Sequence, residues 1–376
     1  MENPFKYGGI VRGPHFADRK EELGELVQEM DNLSRVFLIS PRRFGKTCLL
    51  FNLIERLNDI GFATAYLDLN AHPDVKSLAA GMTHLTSMAL ESDFEKLLKV
   101  FSGLQRLRPK VSVGQDGSIM GSVELAHGYK EALPALLEGM QNAESLARQK
   151  GVKLVIIIDE FSDLPKYDGQ TLEKAMRSEI QRHDHVGYIF SGSDQSIMLA
   201  MARDRKRAFY KLGRLMTLGP IERNVYLEFI HDWFHKARYK VKKQHLEAIM
   251  ELGKDVPYNV QRLCHTVWEL AREPGEVTSS LIDESIMVIV QQDSPHFELL
   301  WRTASQQQKM LLIALSKETD AKPFSKEFQL NHGIGPSSSI KASLDSLNRK
   351  GILFRSLEGS YQFSDIFMKY WIRQFT

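Results

Sequence analysis

The sequence predicts an α/β protein with a three-layer parallel-sheet core, followed by an α-helical lid and a C-terminal winged helix. Short apolar runs alternate with amphipathic helical patterns over the first 220 residues, and these runs then stop. Strands joined by segments long enough to be helical crossovers are typical of a parallel sheet covered on both faces. We therefore expect a core at residues 1–220, a lid at 221–295 and a winged-helix domain at 296–376.

The composition is that of a globular protein, since 43% of the 376 residues are apolar and 26% are charged. The net charge is only +2, so any nucleic-acid site must come from local clustering of charge. Cys48 and Cys264 are too few and too far apart for a disulfide framework or a zinc knuckle. Apolar runs stay below the ~20 residues that span a bilayer, and the N-terminus has no secretory-signal pattern. We expect a cytoplasmic protein with no membrane partner.

The predicted sheet begins with a β-α-β unit, in which a helical pattern from Cys48 to Leu57 joins two strands. Leu154–Ile158 is the most apolar stretch of the chain and predicts a central strand. A small hairpin with its turn at Gly114–Gly117 is expected before it. The other predicted strands are Val36–Ile39, Phe62–Leu67, Gly187–Phe190 and Leu215–Leu218.

Helical patterns dominate after Pro220, and Asp293–Pro295 is the best candidate for a linker. Three helical patterns and then two short strands follow Trp301, in the order of a winged helix. These elements are Gln307–Ser316, Ser325–Leu330, Ser337–Lys350, Leu353–Arg355 and Tyr361–Phe363, with the turn between the two strands at Glu358–Ser360.

The segment between the first strand and the next helix, Ser40–Thr47, matches the P-loop pattern G-x-x-x-x-G-K-[ST], with serine in place of the first glycine. Such a loop directs backbone N–H groups and the positive end of a helix dipole at one point, which suits a phosphate group. We expect Gly45 to let the phosphates approach the backbone, Lys46 to contact the β- and γ-phosphates of ATP, and Thr47 to ligate Mg²⁺. Ser40 would be strained if its position requires a positive φ. The candidate nucleotide-binding residues of this segment are Ser40, Pro41, Arg42, Arg43, Phe44, Gly45, Lys46, Thr47 and Cys48.

Acidic and hydroxyl side chains follow the two central strands. Asp159 and Glu160 come directly after the most apolar strand, at the edge where open α/β sheets bind ligands. We expect Asp159 to hold Mg²⁺ and Glu160 to polarise the attacking water, although Glu160 could instead cap a helix or be solvated. Ser193, after the next strand, could direct its hydroxyl toward the γ-phosphate or simply belong to a turn.

The strongest run of charge is Arg203-Asp204-Arg205-Lys206-Arg207, with Lys211 and Arg214 beyond it. Three interpretations are open. The run could be a solvated helix face, it could supply an arginine finger (Arg207 is the candidate) to the nucleotide of a neighbouring subunit, or it could contact nucleic-acid phosphates.

The C-terminal region is basic, with eleven basic and six acidic residues from Trp301 to Thr376. In a helix-turn-helix the second helix, here Ser337–Lys350, enters the major groove. Its first two turns contain no Asn, Gln or Arg, the side chains that read base edges best. Contact with the shape or backbone of DNA, or a role in packing and partner binding, fits this helix better than sequence reading.

Together these motifs resemble the prokaryotic P-loop ATPases of the AAA+ superfamily that lie near the STAND class and carry a C-terminal winged helix. The resemblance implies that Arg19, in the box Phe16–Leu23, packs near the adenine and that Pro257 lies against the base. It also implies ATP binding with slow hydrolysis. The other matching segments are Asn3–Phe5, Pro41–Thr47, Ile158–Phe161, Phe190–Ser193, Leu218–Ile221, Pro257–Gln261, Ser364–Phe367 and Tyr370–Ile372.

Two functional hypotheses follow from the sequence. In the first, the chain is a Mg²⁺-dependent ATPase whose nucleotide state changes the arrangement of core, lid and winged helix. In the second, it is an ATP-regulated DNA-binding protein, similar to initiators or transposition regulators, that uses the winged helix. A homo-oligomer and a protein partner are compatible with both.

Overall fold

The computed structural model describes residues 2–17, 19–113, 119–126, 131–273, 275–318, 321–356 and 359–375. The chain divides into two compact units, one of residues 12–219 and one of residues 2–11 with 220–375. The turn predicted at Gly114–Gly117, and Glu358 of the turn predicted between the last two strands, lie outside the described residues. No helix in the described ranges is long and apolar enough to cross a membrane.

The first unit is built on a parallel sheet, as predicted. Its strands are β1 (Arg35–Ile39), β2 (Ala63–Asp68), β3 (Leu107–Val113), β4 (Ile119–Leu125), β5 (Leu154–Asp159), β6 (Val186–Gly192) and β7 (Arg214–Thr217). Five of them form the sheet in the order β2-β5-β6-β1-β7, with every neighbouring pair parallel. Strands β3 and β4 form a separate antiparallel hairpin.

Helices cover both faces of the sheet, which confirms the three-layer class. They are α1 (Lys20–Asp31), α2 (Lys46–Asp59), α3 (Val75–Leu90), α4 (Phe94–Ser102), α5 (Ala132–Lys150), α6 (Gly169–Ile180) and α7 (Gln195–Arg203). Successive side chains of a strand point to opposite faces. Val36 and Leu38 accordingly belong to the core with α1 and α2, whereas Phe37 and Ile39 belong to the core with α3, α5, α6 and α7.

The sheet order brings three loops to one edge. Strand β6 lies between β1 and β5, with Ile39 opposite Gly192 and Ile158 opposite Phe190. Because all three strands are parallel, the residues after their carboxyl ends meet at the same edge. The P-loop segment, Asp159–Glu160 and Ser193 are the residues in those positions.

The second unit is helical and ends in a winged helix. Its elements are α8 (Arg223–Lys236), α9 (Lys243–Leu252), α10 (Pro257–Leu270), α11 (Ser279–Arg302), α12 (Gln306–Lys317), α13 (Lys326–His332), α14 (Ser337–Arg349), β8 (Leu353–Arg355), β9 (Tyr361–Phe363) and α15 (Ile366–Phe375). The predicted order of three helices and a hairpin is confirmed. Helix α15, which the sequence reading did not predict, packs against α11 and α12.

The linker predicted at Asp293–Pro295 is wrong, because these residues lie inside α11. A proline within a helix removes one backbone hydrogen bond and costs about 3 kcal/mol. Tertiary contacts on the same turn oppose that cost. The carboxylate of Asp293 accepts two bonds from the Arg262 guanidinium, at 2.5 and 2.9 Å, and the Ser294 hydroxyl accepts one from Trp371 Nε1 at 2.9 Å.

Candidate active site

The P-loop segment joins β1 to α2, and Gly45 is the residue that starts the helix. Gly45 has a φ of +84°, and its carbonyl accepts the N–H of Leu49 at 2.9 Å. A Cβ at this position would meet no atom within 4 Å. The structure therefore requires glycine here for its left-handed backbone.

Ser40 does not have the positive φ that would have strained its backbone. The positive φ angles of this loop are at Arg43 (+74°) and Gly45, not at Ser40. Ser40 is fully buried, its N–H donates to the Gly192 carbonyl at 3.3 Å, and its hydroxyl donates to the Pro41 carbonyl at 3.1 Å. A left-handed conformation costs a non-glycine residue about 1–2 kcal/mol, so the strain in this loop lies at Arg43.

Lys46 and Asp159, 113 positions apart, form a buried ion pair. Their exposed fractions are 6% and 3%, and Lys46 Nζ donates to Asp159 Oδ1. The same ammonium lies 3.3 Å from Glu160 Oε1. Burial alone would raise the pKa of Asp159, but the Lys46 charge and the hydrogen bonds from Lys46 and Tyr66 outweigh it and hold that pKa below its usual value. Asp159 is therefore a carboxylate at neutral pH.

Tyr66 is a member of the site that the sequence reading missed. Its hydroxyl donates to Asp159 Oδ2 at 2.7 Å, and its ring packs against Phe51 with centroids 4.8 Å apart. Burial and the Asp159 charge raise the pKa of Tyr66, so the hydroxyl keeps its proton and remains a donor. The signal that could have found it is its position two residues before the end of β2, the strand that pairs with β5.

We expect Tyr66→Phe to lower the free energy of unfolding by about 1–3 kcal/mol, because a buried carboxylate oxygen loses its donor. Urea denaturation measures the change. Tyr210→Phe in the same unit is a suitable control, since the Tyr210 hydroxyl bonds to none of the described residues. Equal stability of the two variants would contradict the inference that the Tyr66 hydroxyl holds the Asp159 carboxylate in place.

Glu160 is held by Ser193 across the ends of β5 and β6. Ser193 Oγ donates to Glu160 Oε2 at 2.8 Å, and the Ser193 N–H lies 3.4 Å from the same oxygen. The Glu160 side chain is 25% exposed and makes no helix-capping bond. Its φ of +50° is left-handed, which is uncommon for a residue with a side chain. Such strained residues concentrate at functional sites.

Arg19 holds the P-loop segment in place through hydrogen bonds to backbone carbonyls. Its buried guanidinium donates to the carbonyls of Phe44 at 3.2 Å and Gly219 at 2.7 Å, and it pairs with Glu22 at 2.6 Å. These contacts join the loop to the residues after β7. They give Arg19 a positioning role within this unit.

The other residues that the sequence predicts for the site differ in their burial and in their contacts. Arg207 pairs with the buried Glu173 of α6, with its Nε 3.1 Å from Oε2, and its role as an arginine finger stays a prediction. Pro257 opens α10 in the second unit, where its carbonyl accepts from Tyr226, so its contact with a base stays a prediction. Thr47 and Cys48 are half-buried in the first turn of α2, Pro41 is half-buried and Arg42 is exposed.

The oxygen donors at this edge fit magnesium. Mg²⁺ prefers oxygen ligands and is usually held by one or two carboxylates together with substrate phosphates. Thr47 and Asp159 are an oxygen-only donor pair, and the described residues contain no group of three His, Cys, Asp or Glu that could hold a metal alone. A magnesium ion here would therefore be shared with the phosphates of a nucleotide.

The winged-helix surface is less available for DNA than its charge indicates. Two of the three leading serines of α14 and three of the basic side chains are already bonded within the domain. These bonds join Ser337 to Gln329, Ser339 to Gln307, Lys350 to Gln308, Lys369 to the Glu318 carbonyl and Arg373 to the Ser316 carbonyl.

Comparisons with known proteins agree with this architecture. Residues 16–263 match the family model "ATPase domain predominantly from Archaea", and residues 295–374 match "Probable winged helix domain". A solved Walker-type ATPase of Pyrococcus abyssi superposes with a TM-score of 0.65 at 16% identity, covering 98% of this chain and 99% of that chain. The ORC1 protein of Aeropyrum pernix, solved in complex with DNA, gives 0.50 at 12% identity, with 98% and 94% coverage. The ADP form of the ORC2 protein of Aeropyrum pernix gives 0.50 at 11%, with 99% and 97% coverage. At these identities the likeness shows the fold alone. None of the curated proteins is significantly similar in sequence.

Proposed function

Because this chain belongs to the family of ATPase domains found predominantly in Archaea and is an ATPase with a winged-helix domain, we propose that it is a Mg²⁺-dependent switch controlled by ATP. The convergence of Lys46, Asp159 and Glu160 at one sheet edge carries this proposal. These residues supply a cation, a metal-binding carboxylate and a second carboxylate, the three groups that phosphoryl transfer from ATP to water requires.

Each residue has a defined task in this proposal. Lys46 contacts the β- and γ-phosphates. Thr47 and Asp159 would hold the magnesium ion, which would supply positive charge against the charge that develops on the phosphates. Glu160 orients and polarises the attacking water, and Ser193 positions its carboxylate.

In this proposal, ATP binding breaks the ion pair between Lys46 and Asp159 and thereby prepares the site for hydrolysis. A triphosphate competes with Asp159 and Glu160 for the Lys46 ammonium. When the ammonium moves to phosphate, Asp159 becomes available to magnesium, and Ser193 still holds Glu160 at the 2.8 Å contact. In this proposal an active carboxylate pair is therefore formed only when nucleotide is present.

We expect the ATP-bound and ADP-bound states to differ in the arrangement of core, lid and winged helix. Small-angle scattering and light-scattering mass of the full-length Glu160→Gln chain, without nucleotide, with ATP and with ADP, measure shape and assembly together. A radius of gyration that changes with ATP and not with ADP supports a switch. Identical curves in all three states would contradict it, whereas ATPase activity tests the enzyme separately.

Four finer points remain predictions from the sequence. They are the relation to the STAND class, a homo-oligomeric state, a protein partner and a cytoplasmic location. DNA binding through the winged helix has weaker support than the switch, because α14 lacks the side chains that best read bases.

A further inference from the structure

We propose that a basic loop on the ATPase core, residues 203–211, binds the phosphate backbone of duplex DNA. The exposed cations of this loop form no hydrogen bond or ion pair with Lys46, Asp159, Glu160 or Ser193, and the proposed function does not use them. It runs from Arg203, the last residue of α7, to Lys211, three residues before β7, within the first unit.

The basic loop concentrates unpaired positive charge. Arg203, Arg205, Lys206 and Lys211 are all exposed, and none of them forms an ion pair with any described residue. The single acidic residue of the loop, Asp204, uses its carboxylate to accept the backbone N–H of Lys206 at 2.9 Å. Four cations with no acidic partner are a strong local field on a chain whose net charge is only +2.

The backbone under these cations is anchored to the core. Arg177 of α6 donates to the carbonyl of Tyr210 at 2.8 Å and to that of Ala208, and Arg207 pairs with Glu173. Phe209 is fully buried, with its ring 5.2 Å from the ring of Phe161.

Arg177 and Arg207 thus hold the loop, while its other four basic side chains are exposed. A loop that is already ordered loses little conformational entropy when it binds a partner. The anchoring contacts therefore favour a binding surface over a solvated charge run.

The composition of the surface favours nucleic acid over protein. Protein interfaces have an apolar or aromatic centre, whereas the exposed side chains of residues 203–211 are all charged, with Ala208 and Tyr210 half-buried and Phe209 buried. The same observation argues against single strands, which stack their bases on exposed aromatic rings. Phosphate contacts on a duplex need only cations, and they position the protein without reading sequence.

The test compares two full-length variants that each lose four positive charges. The loop variant carries Arg203→Gln, Arg205→Gln, Lys206→Gln and Lys211→Gln. The matched control carries Arg56→Gln, Lys76→Gln, Lys96→Gln and Lys99→Gln, all exposed cations of the same unit. Fluorescence anisotropy with a short labelled duplex of arbitrary sequence is recorded over a series of salt concentrations, and thermal unfolding checks that each variant is folded.

We expect the slope of log K against log salt to become less negative by about 3–4 in the loop variant, since each lost phosphate contact contributes about 0.9. The control should keep the wild-type slope. Equal slopes in wild type and loop variant, an equal change in both variants, or no duplex binding by wild type at low salt would overturn the proposal. Loss of ATP-dependent self-association in the loop variant, with DNA binding unchanged, would also overturn it and assign the loop to a second copy of the chain.

Discussion

Replacing Lys46 with alanine is expected to weaken ATP binding by about 1.5–3 kcal/mol, or roughly 10- to 150-fold, because a hydrogen bond to a charged group is lost. Lys46 lies 3.3 Å from Glu160 and bonds to Asp159, so the substitution removes the cation that stands among the carboxylates of the site. Isothermal titration with ATP and magnesium measures the affinity. Lys76→Ala removes an exposed lysine of the same unit and should leave the affinity unchanged.

Lys46→Ala is also expected to lower the free energy of unfolding. Asp159 is 3% exposed, and without Lys46 the donors left to its carboxylate among the described residues would be the Tyr66 hydroxyl and the Glu160 N–H. Removing one member of a buried ion pair typically costs about 3–5 kcal/mol. Affinity is therefore measured only after denaturation shows that the variant is folded. A folded Lys46→Ala chain with wild-type affinity would contradict the phosphate role.

Glu160→Gln is expected to lower the rate of ATP hydrolysis by about 10²- to 10⁴-fold, the usual contribution of general acid–base catalysis. ATP affinity should change little, because the amide keeps an oxygen that can accept from Ser193. Single-turnover hydrolysis and an ATP titration separate the two quantities. The retained binding is the readout that distinguishes a catalytic defect from a misfolded site.

Ser193→Ala is the companion variant for Glu160. If the 2.8 Å bond positions the carboxylate, hydrolysis should fall by less than in Glu160→Gln, with ATP affinity retained. Wild-type hydrolysis by Glu160→Gln would contradict the proposed mechanism. A wild-type rate in Ser193→Ala alone would assign Ser193 to an ordinary turn.

The parallel core could be predicted because its signals are local. The apolar run Leu154–Ile158 is buried on both faces, and such strands are continuous in sequence without any partner information. The P-loop segment and Asp159–Glu160 stand directly after strands, so the parallel arrangement places them at the same edge of the sheet. Their proximity also depends on the order β5-β6-β1, which the sequence does not predict. The catalytic role of each residue at the site stays a prediction, which the variants above test.

Other features depend on tertiary contacts that a single sequence does not show. The Tyr66–Asp159 bond requires β2 to lie beside β5, and that order is not encoded in either strand. The sequence does not distinguish the basic residues of the run 203–207, yet Arg207 is paired with a buried glutamate while Arg203, Arg205 and Lys206 are exposed. Asp293–Pro295 has the composition of a break, but Arg262 and Trp371 bond to this turn and keep it helical.

Helix α11 limits where the chain can be cut to prepare separate fragments. It runs unbroken from Ser279 to Arg302 and packs against α10 on the lid side and α15 on the winged-helix side. Cutting the chain at residue 295 would sever the helix next to the buried Phe297 and expose an apolar end. The predicted lid and the winged helix therefore share α11, and a fragment prepared for either of them would have to retain the whole helix.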